Sequence, residues 1–300
     1  MKTVFFPGGF DVFHYGHLGA IEDAASAFHK VIVGVGDDPN KTDKYIFSKE
    51  VRAEHVRAAT SALANVEVVQ ITGLTMNIAR ELRADALLRT IRELTDFGPE
   101  KKKAFINGVK GGLPTLWLPA RADDTLIDSE ILGELASMEA DVSEFTTPQV
   151  AIALLEHYGH NSDHVDRNFK PRLVGARPLA GMETVAVYAG SFDPLQVGHL
   201  RLIEVASQTF DRVVVSCGVN PAKINLETGK LGLFTQEERR AMIEASVRHL
   251  PNVSVSSFEG LLIEHAAQIG ATAIIKGVRD GADFDSEGTQ QFFNREYSGM

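Results

Sequence analysis

The stretch Gly8-Gly9-Phe10-Asp11-Val12-Phe13-His14-Tyr15-Gly16-His17 decides how this chain is read, because it returns as Gly190-Ser191-Phe192-Asp193-Pro194-Leu195-Gln196-Val197-Gly198-His199. The two copies stand 182 positions apart. In the first, an apolar run over Thr3–Phe6 ends at Pro-Gly-Gly and predicts a strand followed by a turn. Helical spacing of Leu18, Ile21, Ala25 and Phe28 predicts a helix over Gly16–Phe28. Gly8 and Gly9 let a phosphate approach the backbone closely, and free N–H groups at a helix start favour anions. His14 and His17 are three residues apart and share one face of the first helical turn. An ordinary turn accounts for Gly8-Gly9 alone, and a satisfied structural role for a lone histidine. The spaced set, and its recurrence, carry the specificity.

Working outward, Pro39-Asn40-Lys41 matches Pro221-Ala222-Lys223 at the same offset. The offset then becomes 187, so that Phe47, Glu50 and Arg52 match Phe234, Glu237 and Arg239. Asn65-Val66, Gly73-Leu74, Arg92, Asp96-Phe97, Glu100 and Asn107 match Asn252-Val253, Gly260-Leu261, Arg279, Asp283-Phe284, Glu287 and Asn294. Agreement at two nearly constant offsets over about 110 residues marks duplication of a whole domain, not a short solenoid repeat.

Each copy alternates strand with helix. Val31–Val35 is β-branched and reads as a buried strand. Ser48 is placed to cap a helix running to about Leu63. Val66–Ile71, Ala86–Leu88 and Leu116–Leu118 read as strands. Leu74–Leu82, Asp96–Val109, Ile127–Met138 and Pro148–Tyr158 read as helices, with Gly98-Pro99 setting the true start of the second. This predicts an α/β fold of tandem Rossmann-like domains, each a parallel sheet with helices on both faces. Ligands then bind at the carboxyl ends of the strands, where strand order switches. The predicted boundaries are 1–159 for a full-length domain, 160–182 for a Pro- and Gly-containing linker, and 183–300 for a second domain. Met300 corresponds to position 113 of the first copy. The second is therefore expected to lack the C-terminal strand and helices, as a fragment or as a minimal domain.

Composition bounds the function classes. The 300 residues are 44% hydrophobic and 23% charged, with a net charge of −10. That balance speaks against a nucleic-acid or anionic-membrane surface, since both need basic patches. Cys217 is the single cysteine, so no internal disulfide forms and a reducing cytoplasm is expected. No apolar run approaches the ~20 residues of a membrane span.

The motif resembles the nucleotidyltransferase superfamily marked by a His-x-Gly-His or Thr-x-Gly-His signature. Further residues narrow the resemblance to phosphopantetheine adenylyltransferase. In the first copy these are Asn65–Val69, Gly73-Leu74, Leu88-Arg89-Thr90-Ile91-Arg92, Asp96-Phe97, Ile127-Asp128-Ser129-Glu130 and Asp141-Val142-Ser143. In the second they are Asn220-Pro221-Ala222-Lys223, Phe234–Arg239 and Lys276–Asp285. The resemblance implies transfer of AMP from ATP to 4'-phosphopantetheine, giving dephospho-CoA and pyrophosphate, without a covalent intermediate. It implies Mg²⁺ bridging phosphate oxygens with few direct protein ligands. It also implies ATP and a small phosphorylated acceptor as partners, neither nucleic acid nor membrane, and a homo-oligomer, with three two-domain chains matching six single domains.

The resemblance assigns catalytic roles to His14, His17, Lys41, Arg92, His199, Lys223 and Arg279. Nucleotide contacts fall on Gly8, Gly9, Phe10, His17, Thr90, Ile91, Arg92, Glu100, Ser129, Gly190, Ser191, Phe192, His199, Gly277, Arg279 and Glu287. Acceptor contacts fall on Gly9, Lys41, Thr75, Arg89, Asn107, Ser191, Lys223, Leu262, Lys276 and Asn294. Each copy departs from the pattern. Gly9 stands where the resemblance expects a hydroxyl, and Asp128 and Glu130 bring carboxylates beside the expected triphosphate. Gln196 stands where the second copy would have His or Thr, and Lys276 replaces a two-pronged guanidinium. Phe13-His14-Tyr15-Gly16-His17 is also similar to the cytidylyltransferases. NMN adenylyl or cytidylyl transfer thus stays open, as does a non-catalytic nucleotide-binding or assembly protein.

Overall fold

The computed structural model describes residues 2–38, 45–121, 124–125, 127–167, 182–218 and 233–278. The chain divides into two compact units, Thr3–Ala180 and Gly181–Met300 with Met1–Lys2.

In the first unit β1 (Thr3–Gly8) leads into α1 (Tyr15–Ala27) and β2 (Lys30–Val35), then α2 (Lys49–Ala59) and β3 (Val66–Gln70). The chain continues through α3 (Thr75–Glu81), β4 (Ala86–Ile91), α4 (Leu94–Ile106), a π-helical turn at Asn107–Gly111 and β5 (Thr115–Pro119). It closes with α5 (Ser129–Ser137) and α6 (Pro148–His157). All strand pairings are parallel, in the order β3-β2-β1-β4-β5. The runs Val4-Phe5-Phe6 and Val31-Ile32-Val33 are buried, as central parallel strands covered on both faces require. Phe5, Ile32, Ala79, Ala84 and Leu87 form a core cluster on the α3 side. Each large side chain removed from water there contributes ~1.5–3 kcal/mol.

The second unit repeats the plan with β6 (Val185–Gly190), α7 (Val197–Thr209), β7 (Arg212–Gly218), α8 (Gln236–Val247), β8 (Val253–Phe258), α9 (Leu262–Gln268) and β9 (Ala273–Ile275). Its four strands are parallel in the order β8-β7-β6-β9. Both sheets change direction of strand addition beside the first strand of the unit, and both motifs lie at that strand's carboxyl end.

Two local readings are corrected. The fourth helix starts at Leu94 with Pro99 inside it, where the Gly98-Pro99 pair had suggested a start. Pro99 forgoes the bond that its N–H would make to the Thr95 carbonyl. Strand β4 runs on to Ile91 because Arg89 and Thr90 pair with Trp117 and Leu118 of β5. Residues 160–167, part of the expected linker, pack on the first unit through buried Ser162 and Val165. Among the described residues, no helix is long and apolar enough to cross a membrane.

Candidate active site

The turn after β1 is shaped by its own aromatic residue. Phe10 takes a left-handed backbone, φ 53°, and Phe192 repeats it at φ 46°. Each ring folds back over the preceding glycine, so that a Cβ at Gly8 would lie 2.8 Å from Phe10 and one at Gly190 3.1 Å from Phe192. The rings are buried and meet the motif histidine edge-on, at 5.2 Å for Phe10–His17 and 5.3 Å for Phe192–His199. These phenylalanines therefore support the histidine from inside, and only their backbone is available to a nucleotide.

The motif aspartate is a clamp. The Asp11 carboxylate accepts the amides of Ile46 and Phe47. Asp193 accepts those of Leu233 and Phe234 at 2.8 and 3.0 Å. A second clamp comes from helix α2, where Arg52 is almost fully buried. It donates to the carbonyls of Gly9, Gly36 and Phe47 and pairs with Asp37. Arg239 likewise donates to Ser191 and Gly218. Sequence reasoning noted Arg52 and Arg239 only as repeat matches. Their recurrence was the available signal, but an arginine one turn into a helix reads as solvated.

The histidines differ between units. His14 caps α1, its Nδ1 accepting the Gly16 amide at 3.1 Å, and its ring stacks on His17 at 3.8 Å. Burial, with Arg92 nearby, lowers the His14 pKa to about 3. Burial, then His14 and Arg92, holds His17 well below its ordinary value. Both imidazoles are neutral near pH 7, and among the described residues Nδ1 of His17 has no hydrogen-bond partner. In the second unit Nδ1 of His199 accepts the Gln196 amide at 3.1 Å. That bond leaves the proton of a neutral ring on Nε2.

Around the first motif the expected ligand-binding cations are engaged by acids. Arg89 holds Glu100 through two bonds of 2.7 and 2.8 Å and reaches the Pro7 carbonyl. Lys103 adds a third bond to Glu100 at 2.9 Å. Burial raises the Glu100 pKa, but Arg89 and Lys103 outweigh it and the carboxyl stays below its usual range. Residues assigned to acceptor and nucleotide are thus partners of each other. Arg92 bonds Asp128 at 3.0 Å and lies near Asp96, while Asp128 also caps α5 through the Glu130 amide. Ser129 donates to the Val12 carbonyl at 2.9 Å, and buried Thr146 to that of Phe13 at 2.6 Å. These bonds tie the segment after β5 to the back of the motif.

The remaining assignments divide simply. Ile91 is buried and its carbonyl accepts the Ala120 amide, so its side chain belongs to the core. Thr90 neighbours it on β4. Thr75 and Leu262 head α3 and α9 beside exposed Leu74 and Leu261. Asn107 opens the π-helical turn and bonds Thr115. Lys276 and Gly277 directly follow β9, where a Cβ on Gly277 would meet Leu202 at 3.1 Å. Lys41, Lys223, Arg279, Glu287 and Asn294 lie outside the described residues.

The family model described as Cytidylyltransferase-like matches residues 5–110 and again 187–297. A phosphopantetheine adenylyltransferase of Heliobacterium modesticaldum is 34% identical over 160 residues, which cover 53% of this chain and 94% of that protein. One from Symbiobacterium thermophilum is 45% identical over 114 residues, 38% of this chain and 66% of it. One from Leuconostoc citreum is 47% identical over 104 residues, 35% of this chain and 61% of it.

Proposed function

Because the chain belongs to the cytidylyltransferase-like family in both of its units, and so to the nucleotidyltransferase enzymes, we propose that it transfers AMP from ATP to 4'-phosphopantetheine. The observation that carries this reading is the doubled placement of His17 and His199. Each lies in the first turn of the helix that follows the glycine turn, backed by an aromatic edge. The three relatives named phosphopantetheine adenylyltransferase support the acceptor.

The chemistry asks for positioning and charge neutralisation, not a protein nucleophile. An oxygen of the acceptor phosphate attacks the α-phosphorus of ATP in line. The new P–O bond forms as the bond from the α-phosphorus to the bridging oxygen breaks, and pyrophosphate leaves with that electron pair. A neutral imidazole donates through Nε2 to the phosphoryl oxygens, and the amides of the glycine turn and helix start face the same anion. Among the described residues no three His, Cys, Asp or Glu side chains converge on one point. Mg²⁺ bound with ATP would supply charge neutralisation there. Exposed Phe105, Ile106 and Val109 at the end of α4 support a homo-oligomer, which light scattering tests against the mass of one chain.

A second reading has its own support. Arg89 and Arg92 are both bonded to carboxylates, which favours a first site that holds a nucleotide without transferring it. Purified chain with ATP, Mg²⁺ and 4'-phosphopantetheine should release pyrophosphate. Silence with that acceptor, with NMN and with CTP substrates would leave the non-catalytic reading standing. His17→Ala should lower transfer by about 10²–10³-fold, and more than His199→Ala does, because among the described residues only the first unit has its motif tied from behind, by Ser129 and Thr146.

A further inference from the structure

We propose that Tyr45 is the phosphate-contacting hydroxyl of the first site, standing in for the serine that the second site carries at Ser191. The two units differ at this point of the turn: Gly9 has no side chain where Ser191 has a hydroxyl. The space beside Gly9 is filled instead from the loop before α2. A Cβ built on Gly9 would lie 3.2 Å from both Cε1 and Oη of Tyr45. The phenol oxygen therefore lies against the phosphate turn, next to the position a serine side chain would occupy.

Two contacts fix it there. Oη accepts the Asp38 amide at 2.6 Å, which leaves its own proton to donate. The Arg52 guanidinium covers the ring at 4.1 Å from its centroid. Arg52 also donates to the Gly9 carbonyl, so ring, guanidinium and turn form one assembly. In the second unit the residue in register with Tyr45 is Gly232. That register is set by the aspartate clamp, since Asp11 holds Ile46 and Phe47 as Asp193 holds Leu233 and Phe234. The first unit pairs glycine on the turn with tyrosine on the loop, and the second pairs serine with glycine. Each unit thus brings a hydroxyl to this point of the turn, from the loop in the first and from the turn itself in the second.

The inference rests on the transferase reading but is tested apart from it. With 3-fluorotyrosine placed at position 45 alone, ATP should shift the ¹⁹F resonance with saturation. A resonance that stays in place through an ATP titration overturns the proposal. A moving resonance with no pyrophosphate release in the unaltered chain would instead sink the transferase reading and leave Tyr45 as a phosphate contact. On a His199→Ala background, Tyr45→Phe keeps the stacked ring and should lower transfer about ten- to a hundredfold, as loss of a hydrogen bond to a charged group does. The swap Gly9→Ser with Tyr45→Gly should restore most of that loss. An unchanged rate in Tyr45→Phe counts against the proposal. If the His199→Ala chain turns nothing over, the fluorine titration decides alone.

Discussion

Asp11 and Asp193 hold their loops by the same pair of backbone bonds, and Asn65 and Asn252 fasten the ends of α1 and α7 in the same way. At the neighbouring helix caps the two units part. His14 in the first is buried and stacked on His17, while Gln196 in the second is exposed and gives its backbone amide to His199. Duplication has kept the bonds that shape the turn and has let go of those that set the charge inside it. The first unit surrounds its motif with compensated charge, and in the second the Gln196 amide holds the histidine against the edge of Phe192.

The strongest way to break this contrast is through the arginine clamp. Arg52→Met should destabilise the first unit by ~2–4 kcal/mol, since it strands the carbonyls of Gly9, Gly36 and Phe47 and removes one of the partners of Asp37. Arg239→Met should cost the second unit only ~1–3 kcal/mol, because among the described residues it serves carbonyls alone. Hydrogen exchange followed separately in peptides from α1 and α7 measures both. Equal costs would mean that Asp37 and the Tyr45 ring add nothing.

Acid should act next. The unfolded chain takes up a proton on His14 near pH 6.5, whereas the folded chain does so only near pH 3. Between those values the unfolded state binds more protons, so the first unit loses stability as pH falls, by roughly 2 kcal/mol at pH 5 from this group. His14→Gln, which installs the residue of the second copy, should flatten that slope in α1 peptides. A slope unchanged by the substitution would remove His14 as its source.

Thr146→Val leaves the Phe13 carbonyl without its donor and should cost about 1–2 kcal/mol, with faster exchange confined to the first motif. Uniform acceleration across the unit would point to general packing instead. The smallest effect is expected at Asp128. Asp128→Asn loosens Arg92 and should tighten ATP binding about threefold, an effect that added salt erodes. Unchanged affinity would show that the carboxylate does not compete with the nucleotide.

Much of the fold was legible in the residues. Continuous apolar and β-branched runs placed the central strands, and Ser48 capped its helix by accepting the Val51 amide as read. Polar residues inside β4 concealed its length, because Arg89 and Thr90 are strand residues for reasons supplied by β5. The motif itself was readable as a phosphate turn. Its supports were not, since Arg52, Thr146 and Tyr45 reach the turn from distant parts of the chain and carry no local period. Charge compensation was hidden for the same reason: Glu100 and Asp128 are acids anywhere in sequence, and only folding brings them to Arg89 and Arg92.

On the proposed function, the Arg89–Glu100–Lys103 cluster would make occupancy of the first site an exchange of counter-ions. An acceptor phosphate seated on Arg89 would displace the Glu100 carboxylate, which Lys103 already bonds. A dianionic phosphate monoester competes for Arg89 better than a monoanionic diester does. Such a site would discriminate by charge density before shape, with Glu100 setting the threshold.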